Sequence, residues 1–154
     1  MTKHQKLGVL FSIIYCIGVL FFFIMSLQNG DNSSNKSSFL TDIVIKLIKI
    51  FNKNLEIKYQ LIHLVVRKVI GHFGYSCFLG VLGFLSWYFL RLKIQESVLI
   101  NLIVGLFIAS ISELLQLIPN DRGPSFGDIF INYAGYFFGV ILIVFIVKVI
   151  LKKN

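Results

Sequence analysis

Residues 7–27 form an apolar run without a single charged side chain. As a helix rising about 1.5 Å per residue, the run is roughly 30 Å long, the thickness of a bilayer's hydrocarbon. A segment surrounded by lipid must satisfy its backbone hydrogen bonds internally, so this one has to be helical. Three further runs of spanning length follow, at about 69–90, 97–118 and 128–147. The chain therefore reads as an all-α membrane protein: four transmembrane helices in a small bundle, one domain over residues 1–154. Charged residues make up 14% of the chain, against about 25% in soluble domains, too few to cover a water-exposed surface.

Lys3 and Lys6 precede the first run, as they would in a secretory signal. The run is longer than the roughly 7–15 residues of a signal's apolar region and has no small-residue cleavage site. It reads as an uncleaved anchor. Residues 28–38 are polar and rich in Asn and Ser, and read as a loop. Residues 40–54 look amphipathic. Leu40, Ile43, Val44, Leu47, Ile48 and Phe51 fall near one helical face, and Asp42, Lys46, Lys49 and Lys53 on another. Such a helix suits the interface plane between the first two spans; packing outside the membrane against its neighbours is the alternative. Residues 91–96 are a charged turn, Pro119 stops the third run, and residues 120–127 form a tight loop.

The net charge of +8 is explained by anionic membrane lipids as partners, with no nucleic acid implied. Basic residues are densest on the short segments at both termini and at Arg91 and Lys93. That predicts cytoplasmic termini in the cell membrane and a non-cytoplasmic 120–127 loop. Cys16 and Cys77 lie in apolar runs and make no disulfide scaffold. His4, His63 and His72 are too dispersed for a metal site, and no cofactor is expected. No H-E-x-x-H, P-loop or G-x-S-x-G pattern occurs.

Polar groups inside or beside a span are costly and mark functional candidates. Here they gather at one membrane face. Arg67, Lys68 and His72 stand at the start of the second span, Glu113 and Gln116 in the last turns of the third. Arg122 is in the loop, and Asp128 and Asn132 open the fourth span. At helical spacing Lys68, His72 and Tyr75 share a face, as do Asn101, Gly105, Ala109, Ser112, Glu113 and Gln116. Asp128, Asn132, Gly135 and Gly139 form a narrow stripe whose G-x-x-x-G permits close helix approach, including an oligomer. Each feature has a plainer account. Asp128 follows Ser125 at capping-box spacing. Arg67 and Lys68 can snorkel to headgroups, and His72 can be a hydrogen-bonded core residue. Glu113 is expected to pair with Arg122, Arg67 or Lys68, or to be protonated. An ion pair that only locks the helices would also explain the cluster.

The series Ser112-Glu113, Gln116, Pro119, Arg122, Ser125, Asp128, Asn132, Gly135 and Gly139 resembles the signature of VanZ-like membrane proteins. Arg67-Lys68 followed by His72-Phe73 and Tyr75 is similar to the family's basic-plus-histidine motif. Three residues separate Lys68 from His72 where the family pattern has two, which leaves Arg67's role less defined than that of Lys68. Ser112 stands where an acidic residue is frequent, which weakens a paired-carboxylate mechanism. The resemblance implies a small bacterial integral membrane protein of the cell envelope, in a family named for a teicoplanin-resistance protein. On this reading the polar face recognises an anionic lipid-linked envelope precursor or a glycopeptide-type molecule. Arg67, Lys68 and Arg122 would hold phosphate or carboxylate, and Tyr75, Gln116 and Asn132 would complete the binding site. Glu113, His72 and Asp128 are the candidates for moving protons, should the protein be an enzyme acting on a lipid phosphate. A non-catalytic adaptor and an oligomeric transporter are the remaining readings.

Overall fold

Thr2 opens the first helix with a reciprocal cap. Its Oγ accepts from the Gln5 backbone N–H at 3.3 Å, and Gln5 Oε1 accepts from the Thr2 N–H at 2.9 Å. A computed structural model describes residues 2–51, 58–90 and 92–153. Five helices follow in order: Lys3–Ser26, Gly30–Phe51, Tyr59–Phe89, Ile94–Leu115 and Phe126–Lys153. All but Gly30–Phe51 are long and apolar enough to cross a membrane, and the described residues contain no strand. These four are called the first to fourth spans, and Gly30–Phe51 the connecting helix.

The connecting helix departs from the sequence reading, because residues 28–38 are not a loop beyond its first turn. Asn and Ser disfavour helix interiors by competing for the backbone. Here the hydroxyls are absorbed by the helix itself: Ser37 donates to the Ser33 carbonyl at 3.0 Å, Ser38 to Ser34 at 2.9 Å and Thr41 to Ser37 at 2.7 Å. The first N–H, at Gly30, donates to Asp121 Oδ2 at 2.7 Å. That cap comes from the distant 120–127 loop, so no local signal announces it. Thr41, Val44 and Ile48 turn toward the bundle. Phe39, Ile43 and Leu47 are exposed, and Phe51 is 90% exposed. The helix thus has two usable faces, a hydroxyl-rich inner one and an apolar outer one. Lys53, expected on its charged edge, lies outside the described residues.

The helix that carries the second span begins before the apolar run, at Tyr59. Its 31 residues would measure roughly 46 Å, longer than the hydrocarbon is thick, so its first turns stand beyond the bilayer core. Val66–Gly74 within it is π-helical. The Tyr75 N–H reaches the Ile70 carbonyl, five residues back.

Spans two and four run parallel and in register. Gly135 meets the Phe73 carbonyl, Gly139 the Cys77 carbonyl, and Gly80 the Tyr136 carbonyl. A methyl group at any of the three would occupy the position of a backbone atom. The close approach that G-x-x-x-G permits is made here between spans two and four. The first span runs antiparallel to the second: Gly8 faces Phe89 and Leu90, and Gly18 faces Leu79. At mid-bundle Tyr136 donates to Asn101 Oδ1 at 2.6 Å, and Asn101 Nδ2 donates to the Gly80 carbonyl at 2.9 Å. The Tyr15 hydroxyl lies 2.7 Å from that of Tyr136. This buried chain ties all four spans together where lipid would offer no alternative partner.

Candidate functional site

Glu113 is 0% exposed and forms the hub of the polar end of the bundle. It lies on the buried stripe of the third span with Asn101, Gly105, Ala109, Ser112 and Gln116. Its Oε1 accepts from Gln116 Nε2 at 2.9 Å and from Asn132 Nδ2 at 3.4 Å. Its Oε2 accepts from the Ser125 backbone N–H at 3.2 Å. The expected ion pair between Glu113 and Arg122, Arg67 or Lys68 is not made. Gln116 stands between Glu113 and Arg122, its Oε1 accepting from Arg122 Nη2 at 2.9 Å. Arg122 Nη1 donates to the Gln28 carbonyl at 3.1 Å, at the end of the first span. Burial, and then the nearby Arg67 guanidinium, pull Arg122 below its ordinary pKa; Glu113, Asp121 and Asp128 oppose that pull.

The fourth span is capped by Ser125, whose Oγ accepts from the Asp128 backbone N–H at 3.3 Å. In a capping box the third helical residue would return the favour by accepting from the cap's N–H. Glu113 takes that N–H instead, so the Asp128 carboxylate is released to the second span. There Asp128 Oδ1 lies 3.2 Å from Lys68 Nζ.

Asn132, one turn further on, orients His72. Its Oδ1 lies 3.1 Å from His72 Nδ1 and accepts from Ser76 Oγ at 3.4 Å; its Nδ2 donates to Ser112 Oγ at 3.4 Å and to Glu113. With its amide nitrogen given to Ser112 and Glu113, Asn132 turns its oxygen to His72 Nδ1, the arrangement that favours a proton on Nδ1. His72 Nδ1 and Glu113 Oε1 are 3.9 Å apart. The ligand atoms of His72, Glu113 and Asp128 come within 4.8 Å of one another. Within this group the Lys68 ammonium lies beside Asp128 and the Asn132 amide beside Glu113.

A cavity of about 310 Å³ opens beside this network, under the connecting helix. Phe21, Phe22, Met25, Leu40 and Ile70 form its apolar wall, and Arg67, His72, Tyr75, Gln116 and Arg122 its polar end. Tyr75 also donates to the Gly18 carbonyl at 2.9 Å. The π-helical turn helps Arg67 and His72 share the cavity: its wider winding brings positions five apart closer to one side than an α-helix would. Among the described residues no carboxylate lies within ion-pair distance of Arg67.

The structure thus divides the sequence candidates. Arg67, His72, Tyr75, Gln116 and Arg122 line the cavity. Glu113 and Asn132 stand behind them as buried orienting groups. Lys68 and Asp128 pair on the far side of Arg67. Sequence reasoning missed the Gln28 carbonyl, Ser76 and the hydroxyl face of the connecting helix. Of these, only the serine spacing at 33, 34, 37 and 38 carried a readable signal.

A helical protein of four membrane-length spans with a buried carboxylate-amide-guanidinium chain at one end defines a class of small multi-pass membrane proteins. The chain belongs to the VanZ/LLP1 family, which matches residues 11–148. Comparison with curated proteins and with solved structures finds no match.

Proposed function

We propose that this protein binds an anionic amphiphile in the cavity beneath the connecting helix, with the anionic group on Arg67 and Arg122 and the hydrocarbon against Phe21, Phe22 and Ile70. The observation that carries the reading is the unmatched guanidinium of Arg67 at the mouth of an apolar-walled space. A bare cation there is expensive unless water or an anion completes it. The outer face of the connecting helix, with Phe39, Ile43 and Ile50 exposed, supports its lying in the interface as a lid at headgroup depth. Family membership supports placing the ligand in the cell envelope, as a lipid-linked precursor whose altered handling would change glycopeptide susceptibility.

An enzymatic form of this proposal rests on His72. Its Nδ1 is held by Asn132, so Nε2 is the group that would accept a proton from a bound molecule. Glu113 is less suited to that task, because both its oxygens are engaged and it does not line this cavity.

The test is the lipid retained on purification. The wild-type protein should carry phosphate-bearing lipid that mass spectrometry detects, and Arg67→Gln should lose most of it while keeping its thermal stability. Equal retention by both would count against the site. The orientation proposed with it, termini in the cytoplasm, follows from the charge density at the chain ends. In a background lacking Cys16 and Cys77, Ser125→Cys should react with an impermeant thiol reagent on intact cells. Protection there, with labelling after lysis, would place the site on the inner face.

A further inference from the structure

Arg67 lines two cavities. The second, of about 410 Å³, is edged by Ser34, Ser38, Tyr59, Gln60, His63, Leu64 and Lys68. Asp128 closes it, paired with Lys68. Neighbouring serines of the connecting helix diverge over Arg67: Ser33 and Ser37 face the first space, Ser34 and Ser38 the second. Because Ser37 and Ser38 donate to backbone carbonyls, their oxygens remain as acceptors. His63 Nε2 lies 3.4 Å from the Ser34 carbonyl and holds the second span to this lid.

The two spaces differ in chemistry. The first has an apolar wall. The second adds hydroxyl, amide, imidazole and phenol groups to an apolar edge at Leu64, and its one carboxylate already faces Lys68. A cationic head group would meet Lys68 there without a free carboxylate. A bare lipid phosphate would leave the polar lining unused. An uncharged group with several hydroxyls matches it, since each hydroxyl both donates and accepts.

We infer that the ligand crosses Arg67, with a hydrocarbon chain in the first cavity, a phosphate on the guanidinium and a sugar in the second cavity. This rests on the anionic-amphiphile reading above and narrows it to a lipid-linked sugar phosphate.

The experiment titrates the purified full-length protein in neutral detergent, by calorimetry, with three probes: farnesyl phosphoryl-N-acetylglucosamine, farnesyl ethyl phosphate and free N-acetylglucosamine 1-phosphate. The sugar-bearing lipid should bind about tenfold more tightly than the ethyl diester, the worth of one or two added hydrogen bonds. The free sugar phosphate should bind more weakly than either. Gln60→Leu, at an exposed position, should erase the tenfold preference and leave the ethyl diester's affinity unchanged. Equal affinity for the two lipids overturns this inference and leaves the anionic-amphiphile reading standing. Binding of neither lipid removes that reading as well. Free sugar phosphate held as tightly as its lipid-linked form overturns the inference by leaving the first cavity without a role. A full preference that survives in both Gln60→Leu and His63→Leu overturns it by moving the sugar out of the second cavity.

Discussion

Glu113 and Arg122 are joined through one side-chain amide and do not touch: Gln116 donates to the carboxylate and accepts from the guanidinium, both at 2.9 Å. The carboxylate stays buried behind the amide, and the guanidinium keeps a place at the cavity. A direct pair would have drawn Arg122 inward and closed that end of the site.

Gln116 is therefore the residue whose loss disconnects the two charges. Gln116→Leu should destabilise the protein by about 1–3 kcal/mol in detergent, because Glu113 loses a donor and Arg122 an acceptor. The coupling energy between Glu113→Gln and Arg122→Gln, read from a double-mutant cycle of thermal stabilities, should fall toward zero in the Gln116→Leu background. A coupling that keeps its full size without Gln116 would mean the two charges interact directly.

The mid-bundle hydroxyl chain predicts an order of effects. Tyr136 serves both Asn101 and Tyr15, whereas among the described residues the Tyr15 hydroxyl meets Tyr136 alone. Tyr136→Phe should cost about 1–2 kcal/mol and Tyr15→Phe less, since bonds of this kind inside membranes are worth about 0.6–2 kcal/mol. Thermal unfolding of the two variants side by side gives the comparison, and a larger loss for Tyr15→Phe would reverse the assigned roles.

Much of this architecture is legible in the sequence. The four apolar runs specify the spans because lipid leaves the backbone no other choice. The helical spacing of Asn101, Glu113 and Gln116 identifies the buried face of the third span. What sequence periodicity misses depends on bonds between distant segments. Asp121 caps the connecting helix at Gly30, which turns a loop-like serine stretch into helix. The π-helical turn brings Arg67 round to His72, and a reading at 100° per residue places them apart. Glu113 completes the cap of the fourth span, so Asp128 pairs with Lys68 instead of serving its own helix end.

Packing of spans two and four gives a sharper structural test. Gly135→Ala and Gly139→Ala should each cost about 1–3 kcal/mol, because the added methyl meets the Phe73 or Cys77 backbone and neither can turn aside. Gly71→Ala has open space around it and should be neutral or stabilising by up to about 1 kcal/mol, the helix preference of Ala over Gly. Melting temperatures of the three variants decide it. Tolerance of alanine at both Gly135 and Gly139 would contradict the close parallel packing.

Arg67, as proposed above, holds an anion at the edge of an apolar cavity. Equilibrium binding of farnesyl phosphate and of farnesol, measured on the wild-type protein and on Arg67→Gln, tests it most directly. The wild type should prefer the phosphate at least tenfold, about 1.4 kcal/mol, and Arg67→Gln should lose this preference while still unfolding at the wild-type temperature. Farnesol bound as tightly as farnesyl phosphate by the wild type, or a phosphate preference undiminished in Arg67→Gln, would contradict it.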